Sequence, residues 1–307
     1  MDRVDIVVIG AGIVGLAVAE KLSRLFRDVI IVEKEKTFGQ HASSRNSEVI
    51  HSGIHYEKNS LKAGFCVQGN KDLYTFLKRH DIAHKRCGKL VVAEKPDQKS
   101  FLEILLQNGL TNGVKGLEIL SSSRVQRMEP LFKASAALWV PSTGILDSHR
   151  VMKTLALLAE KNGAVISYNS KVESIRQETD GYLLSFRNTD YRISAPIVVN
   201  SAGLWSDRVC AMTGMDPAAF RYTLHWNKGD YYRTSRYRNI ERLIYPLPDA
   251  EKGYLGIHTL TNLNGELCFG PNIYHVDRID YKVDDTYHRE FFDSIRSYLD
   301  IDYEDIS

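Results

Sequence analysis

A glycine-rich stretch near the start of the chain, VDIVVIGAGIVGLAVAEKLSRLFRDVIIVEK, constrains the fold more than any other part of the sequence. Residues 4–9 are mostly β-branched, which is typical of a strand buried on both faces. Three glycines follow with the G-x-G-x-x-G spacing: Gly10, Gly12 and Gly15. They allow a tight turn, close approach of a pyrophosphate to the backbone, and close packing of helix on strand. A helix is predicted at about residues 13–26, and its N-terminus offers N–H groups to phosphate oxygens.

The segment VIIVEK is predicted to be the second strand, and it ends at Glu33, 18 residues after Gly15. An acidic residue at this place accepts hydrogen bonds from a ribose diol, and it disfavours NADP because it would repel a 2′-phosphate. Lys34 follows directly and is also predicted to bind the cofactor. Strand, glycines, helix, strand and acid therefore predict a Rossmann-type dinucleotide-binding domain. These residues by themselves leave NAD and FAD open.

The remaining sequence changes from helical patterns to strands. Helices are predicted at residues 61–82 and 97–109, with a strand at 87–94 between them. Apolar runs from residue 164 onward predict successive strands, and after about residue 215 they predict an antiparallel sheet interrupted by turns. The chain is therefore predicted to be an α/β protein with a second, α+β substrate domain.

Two places among the strands are predicted to face the cofactor. Val172 lies on one of the strands, where its backbone could meet an adenine edge. Ala202 and Gly203 follow the apolar strand PIVVNS, and ligands gather at the carboxyl ends of strands in open α/β sheets. An ordinary strand-to-helix turn explains Ala202 and Gly203 equally well.

Composition argues against several functional classes. The 40 Lys and Arg residues are matched by 38 Asp and Glu, so a dedicated nucleic-acid binder is not expected. No apolar run reaches the roughly 18 residues of a membrane helix and no signal peptide opens the sequence, although peripheral membrane contact is left open. The four cysteines lack CxxC spacing, so free thiols in the cytoplasm are expected and no metal site is predicted.

Several motifs together resemble the L-2-hydroxyglutarate dehydrogenase/oxidase branch of the D-amino-acid-oxidase-like (DAO) flavoproteins. These motifs are the dinucleotide unit, SSRNSEVIHSGIHY, CGKLVVA, NSAGLWSDRV, KGDYY and LGIHTLTNLNGELCFGPN, and they cover essentially the whole chain in order. The resemblance implies FAD rather than NAD, and oxidation of L-2-hydroxyglutarate or a close 2-hydroxy acid by hydride transfer to flavin N5. The electrons would pass on to oxygen, a quinone or an electron-transfer protein.

The resemblance also implies two discontinuous domains. Residues 1–86 and 145–215 are expected to form the FAD-binding domain, and residues 87–144 and 216–307 the substrate domain. Members of this branch usually continue for several tens of residues beyond a position like Ser307. That continuation supplies a strand, a glycine-containing loop and a helix that return to the flavin, so a flavin-closing segment is expected to be missing here.

The resemblance further implies roles for individual residues. His51 and His258 are the candidates for the catalytic base, because a histidine titrates near neutral pH. Expected contacts with FAD come from the polar segment after the second strand and from a glycine beside the flavin: Ser43, Ser44, Arg45, Asn46 and Gly53. Expected substrate anchors are His55, Lys228, Tyr231 and Tyr245.

The sequence departs from the branch at two of these anchors. Lys228 stands where arginine is frequent, and lysine keeps the charge without the two-pronged hydrogen bonding that suits a carboxylate. His55 stands where an aromatic residue is common. Two other functions stay open: an FAD-dependent amino-acid oxidase of the glycine or sarcosine type, and a non-catalytic flavin-binding fragment. A site that bonds a hydroxyl and two carboxylates would accept an amino acid poorly, because buried polar groups would go unpaired.

Overall fold

The computed structural model describes residues 2–234, 236–237, 240–247 and 256–306. Residues 248–255, which include the first residue of the LGIHTLTNLNGELCFGPN motif, lie outside the described residues. Within the described residues, no helix has both the length and the apolar character needed to cross a membrane.

The described chain contains both α-helices and strands, and most of the helices lie in its first half. The strands, in chain order, are β1 (Asp2–Arg3), β2 (Ile6–Ile9), β3 (Val29–Val32), β4 (Val49–Ile50), β5 (His84–Lys85), β6 (Lys89–Ala93), β7 (Glu118–Ser121), β8 (Ala136–Val140), β9 (Gly144–Leu146), β10 (Val165–Ser167), β11 (Val172–Glu178), β12 (Gly181–Phe186), β13 (Arg192–Ala195), β14 (Ile197–Asn200), β15 (Asn227–Lys228), β16 (Tyr232–Thr234), β17 (Leu243–Pro246), β18 (His258–Thr261), β19 (Leu267–Gly270) and β20 (Tyr274–His275). The α-helices are α1 (Ile13–Leu22), α2 (Leu61–Arg79), α3 (Lys99–Thr111), α4 (Ser122–Met128), α5 (Ser148–Lys161), α6 (Ser206–Met212) and α7 (His288–Arg296).

The chain divides into two compact units. Unit 1 contains residues 1–46 and 148–225, and unit 2 contains residues 47–147 and 226–307. The predicted domains are discontinuous in the same manner, but residues 47–86 cluster with unit 2 rather than with the nucleotide-binding segment. This difference has a local cause, because β4 and β5 both pair with β9 in a small antiparallel sheet inside unit 2. The functional assignment of the two predicted domains stays a prediction.

Unit 1 is built on a parallel sheet with the strand order β10-β3-β2-β14. Strand β2 is fully buried, as its apolar sequence predicts, and α1 connects it to β3. Helix α1 packs against α5. It ends at Leu22, four residues earlier than predicted, where Ser23 bonds back to the carbonyl oxygen of Glu20 (3.1 Å). A second sheet, with the order β1-β13-β12-β11, completes the unit.

Unit 2 contains a seven-stranded sheet with the order β16-β19-β18-β17-β6-β8-β7. The predicted antiparallel sheet is present, but β17 and β6 run parallel. Strand β6 comes from a distant part of the chain and no hairpin joins it to β17, so a parallel pairing is open to it. Helix α7 buries Phe291, Phe292 and Ile295, and these side chains join a core that also includes β-strand residues of the sheet.

Candidate cofactor and active site

The glycine loop of unit 1 joins β2 to α1 where β2 and its neighbour β14 end. Gly10 has a φ of +104°, and a Cβ there would lie 2.5 Å from the carbonyl oxygen of Ser201. A Cβ on Gly15 would lie 1.9 Å from the carbonyl oxygen of Gly10, so only glycine lets the helix approach the loop this closely. Gly12 precedes the first residue of α1, and a Cβ there would lie 3.0 Å from Ser43 Oγ. The loop therefore has the close backbone packing expected of a dinucleotide site.

Glu33 is buried directly after β3 and ties the glycine loop to this strand. Its Oε2 accepts a hydrogen bond from the backbone N–H of Ala11 (2.7 Å), and its Oε1 accepts one from the N–H of Glu35 (2.9 Å). An ionised carboxylate offers about four acceptor positions, so about two remain for the hydroxyl groups of a ribose. Loop and carboxylate together fit the adenosine diphosphate half of FAD.

The polar segment after β3 reaches the start of helix α1. Ser43 Oγ accepts a hydrogen bond from the N–H of Ile13 (3.0 Å), and this hydroxyl can still donate its own proton to a phosphate oxygen. Ser44 ends a short 3-10 turn, and Arg45 and Asn46 are exposed beside it. Asn46 Nδ2 donates to the carbonyl oxygen of Ser43 (2.9 Å). Ser43 thus lies at the start of α1, and the cofactor contacts of Ser43, Ser44, Arg45 and Asn46 stay predictions.

The other residues predicted to contact the cofactor from unit 1 have different surroundings. Lys34 Nζ lies 3.8 Å from the ring centroid of Trp205, in a cation–π contact. Val172 begins β11 and is buried. Gly203 follows Ala202 with a φ of +55°, and a Cβ there would meet no heavy atom within 4 Å. The space beside Gly203 is compatible with a ligand, and the cofactor contacts of these residues stay predictions.

In unit 2, three asparagine side chains hold the backbone of the loop at residues 51–56. Asn70 Nδ2 donates to the carbonyl oxygen of His51 (2.9 Å). Asn108 donates to the carbonyl oxygens of residues 54 and 56 (2.7 and 2.9 Å), and Asn112 donates to those of residues 53 and 56 (both 2.9 Å). Helix α2 and the end of α3 therefore fix the loop that carries two of the candidate histidines.

Gly53 is required by this loop for a reason other than the predicted flavin contact. Its φ is +96°, and a Cβ there would lie 2.8 Å from Val67 Cγ2 on helix α2. Packing of the loop on the helix therefore explains the glycine, and its contact with a flavin stays a prediction.

The side chains of His55, Lys89, Tyr245 and His258 form a compact group in unit 2, the histidine–lysine cluster. Lys89 Nζ lies 3.2 Å from His55 Nε2 and 4.4 Å from the ring centroid of Tyr245. The ring of Tyr245 stacks on the imidazole of His258, with 3.5 Å between centroids and 11° between planes. Burial raises the pKa of Tyr231 to about 12. Burial also raises the pKa of Tyr245, and the nearby Tyr231 adds to this increase. These tyrosines are therefore neutral hydrogen-bonding groups at neutral pH.

The electrostatic surroundings of the two loop histidines are positive. Desolvation, followed by the charges of Lys89 and Lys62, lowers the pKa of His51 to about 4, although the residue retains exposed surface. Desolvation and then Lys89 lower the pKa of His55 well below its usual value. No acidic side chain is among the groups that shift either histidine. Both imidazoles are therefore neutral at neutral pH, and their surroundings favour an anionic ligand.

Lys228 has partners outside the histidine–lysine cluster. Its ammonium lies 3.6 Å from a carboxylate oxygen of Asp230 and donates to the carbonyl oxygen of Lys282. Tyr274 donates to the other carboxylate oxygen of Asp230 (2.7 Å). The structure therefore brings Tyr245 together with His55 and His258 but gives Lys228 different neighbours, and its role as a substrate anchor stays a prediction.

Sequence reasoning missed Lys89 and the three asparagines. The signal for Lys89 was a lysine within the apolar segment CGKLVVA, all of whose strand residues are buried. A buried lysine is rare and points to a specific role. The asparagines gave no comparable signal, because they lie on helices far from the loop in sequence.

Comparisons with known proteins agree with this geometry. A model of the family described as DAO, FAD dependent oxidoreductase, matches residues 5–307. The mitochondrial L-2-hydroxyglutarate dehydrogenase of Arabidopsis thaliana is 36% identical over 97% of this chain and 70% of that protein. The corresponding proteins of Bos taurus and Escherichia coli are 35% and 30% identical. The chain spans 65% and 63% of the length of these two relatives, which is less than two thirds.

Solved structures share the fold. L-α-glycerophosphate oxidase from Mycoplasma pneumoniae, solved with FAD bound, has a TM-score of 0.89 at 23% identity, covering 100% of this chain and 82% of that one. Glycine oxidase from Geobacillus kaustophilus has a TM-score of 0.82 at 18% identity, covering 100% and 80%. The predicted fold class, the resemblance to the L-2-hydroxyglutarate dehydrogenase branch and FAD as the cofactor are confirmed. The chain belongs to the family of DAO-type FAD dependent oxidoreductases.

Proposed function

We propose that this chain catalyses FAD-dependent oxidation of a 2-hydroxy acid to the 2-oxo acid, with L-2-hydroxyglutarate as the substrate. The observation that carries the proposal is the histidine–lysine cluster with His51 beside it, where Lys62 and Lys89 are the charged groups that act on the histidines and suit a substrate that bears two carboxylates. The names of the relatives from Arabidopsis thaliana, Bos taurus and Escherichia coli support the same substrate. When bound, FAD accepts the hydride that leaves the substrate carbon.

The chain itself must bind the carboxylates and remove the hydroxyl proton. A general base has to be unprotonated and within reach of its substrate. His51 meets the first requirement, because its imidazole is neutral at neutral pH, and its exposed surface leaves it accessible to a ligand. A bound dicarboxylate would raise the pKa of His51, since nearby negative charge favours the protonated imidazole. Substrate binding would thereby increase the proton affinity of the base.

His258 has a more enclosed position. It is 6% exposed and stacks on Tyr245, so it is held in one orientation. Such a histidine can donate a hydrogen bond to a substrate oxygen or accept the proton after local adjustment. We therefore keep His258 beside His51 as a catalytic candidate, with His51 favoured as the base.

Two variants separate these roles. His51→Ala should slow reduction of bound flavin by L-2-hydroxyglutarate by about 10²–10⁴-fold if His51 is the base. His258→Ala should weaken substrate binding more than it slows the reduction step. The opposite pattern, with the larger rate loss in His258→Ala at saturating substrate, would assign the base to His258.

The competing amino-acid oxidase function is tested with the same protein. Anaerobic addition of L-2-hydroxyglutarate should bleach bound flavin, whereas glycine and proline should not. A bleaching by glycine or proline alone would favour the amine-oxidising function. A cytoplasmic location stays a prediction, and the electron acceptor stays open between oxygen, a quinone and an electron-transfer protein.

A further inference from the structure

Lys89 is a buried cation with an unusual set of neighbours. It begins the buried strand β6, which lies between β8 and β17, and it is 1% exposed. Its ammonium lies 3.2 Å from His55 Nε2 and 4.4 Å from the ring centroid of Tyr245. Among the residues that the structure describes, no carboxylate forms an ion pair with Lys89. Since buried lysines are normally paired with an anion, this one requires another explanation.

The contact between Lys89 and His55 restricts where protons reside. Two nitrogen atoms 3.2 Å apart form a hydrogen bond only when one donates and the other accepts. An ammonium on Lys89 donates to Nε2, which forces the neutral His55 ring to carry its proton on Nδ1. A neutral amine on Lys89 has a lone pair and can instead accept a hydrogen bond from Nε2–H, with the proton on Nε2. Protonation of both groups would place two donors and two positive charges face to face, so the pair holds at most one positive charge.

We propose that Lys89 and His55 form a proton-sharing pair, in which Lys89 positions the His55 imidazole and selects which of its ring nitrogens carries the proton. Lys89 is a positioning residue, because it acts through His55 and is too buried to meet the substrate itself. In the charged state of the pair, His55 presents Nδ1–H as a donor to an anionic ligand. In the neutral state the ring presents an unprotonated Nδ1 instead.

The groups around the pair place its change of state near neutral pH. Desolvation lowers the pKa of Lys89 to about 7, and Cys66 of helix α2 raises it by a smaller amount. His51 and His258 face His55 and disfavour a second positive charge there. Tyr245 contacts Lys89 through its ring and stays neutral because burial raises its pKa. The pair therefore carries one positive charge below about pH 7 and loses it above.

The test is a ¹⁵N NMR titration of the histidine rings in the whole chain, without substrate, from about pH 5 to about pH 9. The His55 signals are assigned by their loss in His55→Gln. In the parent protein, His55 should carry its proton on Nδ1 at low pH and shift toward Nε2 with an inflection near pH 7. Lys89→Arg should keep the proton on Nδ1 throughout, because a guanidinium does not lose its proton in this range. Lys89→Met should remove the inflection and raise the pKa of His55.

A matched control is Lys85→Met, which removes an exposed lysine four residues earlier in the same unit and should leave the His55 titration unchanged. An identical His55 titration in the parent protein and in Lys89→Met would overturn the proton-sharing pair. Lys89→Met serves as the decisive variant if the larger arginine fails to fold.

The contribution of the pair to turnover rests on the proposed function. In the FAD-loaded protein, the rate of flavin reduction by L-2-hydroxyglutarate should show an inflection near pH 7 that is absent from Lys89→Arg. A positive NMR result without any reduction by this substrate would contradict the proposed function and leave the pair intact. Normal flavin reduction, together with a His55 titration that is the same in the parent protein and in Lys89→Met, would overturn the pair and leave the proposed function intact.

Discussion

Replacement of the buried Lys89 by methionine should stabilise the protein at neutral pH. Burial lowers the pKa of Lys89 from 10.5 to about 7, so the folded state binds this proton less tightly than the unfolded chain does. At about 1.4 kcal/mol for each pH unit, the difference corresponds to a cost of about 4–5 kcal/mol at pH 7. Methionine has similar length and no charge. Methionine avoids this cost but loses the contacts of the ammonium with His55 and Tyr245. The net gain in the free energy of unfolding should therefore be about 2–4 kcal/mol.

The pH dependence has a definite sign. Between about pH 7 and pH 10.5 the unfolded chain binds more protons at this lysine than the folded chain does, so the stability of the parent protein rises with pH. The desolvation cost falls to about 1 kcal/mol near pH 10, and because the lost contacts offset about that much, the advantage of Lys89→Met should shrink to about zero there. Urea denaturation followed by tryptophan fluorescence at several pH values measures the stability difference between Lys89→Met and the parent protein and its dependence on pH. Lys85→Met, which removes an exposed lysine, serves as the control and should change stability little.

One result would refute this reasoning. If Lys89→Met is less stable than the parent protein at pH 7, then the lysine stabilises the fold, and the desolvation argument for its role is wrong. A gain in stability accompanied by slower flavin reduction would instead indicate a residue retained for function at the expense of stability.

Three further variants test the local geometry. Gly15→Ala should destabilise the chain by about 2–3 kcal/mol and weaken FAD binding, because its Cβ would lie 1.9 Å from the carbonyl oxygen of Gly10. Gly64→Ala is the matched change inside helix α2, where a Cβ meets no atom within 4 Å, and it should stabilise by about 0.5–1 kcal/mol. Asn108→Ala should cost about 1–3 kcal/mol and increase the mobility of the His51 loop, because the carbonyl group of residue 54 loses its side-chain donor and that of residue 56 keeps only Asn112. Urea denaturation measures stability, flavin fluorescence measures FAD binding, and NMR relaxation measures mobility.

The nucleotide-binding site could be predicted from the sequence because its signals are local. The strand, the glycine spacing and Glu33 lie within a single stretch. The structural role of each can be predicted from residue type and spacing alone. The hydrogen bond between Ser43 Oγ and the N–H of Ile13, 30 residues away, was not predicted, and the contact of Ser43 with FAD stays a prediction. The parallel pairing of β6 with β17 was not predicted, because it depends on tertiary contacts between distant segments.

The histidine–lysine cluster could be predicted only in part. Its histidines stood out by residue type, and the resemblance to a known branch assigned them roles. Lys89 did not stand out, because its burial results from strands β8 and β17 on either side of it. The shift of His51 to a pKa of about 4 likewise depends on Lys89 and Lys62, which the sequence alone does not place beside it.

The central claim is that the chain oxidises L-2-hydroxyglutarate with bound FAD, and stereospecific reduction of the flavin tests it most directly. The FAD-loaded protein is mixed anaerobically with L-2-hydroxyglutarate or with its D-enantiomer, and the flavin absorbance is followed in a stopped-flow instrument. We expect rapid bleaching by the L-enantiomer and none by the D-enantiomer. Flavin that dithionite reduces but L-2-hydroxyglutarate leaves oxidised would contradict it.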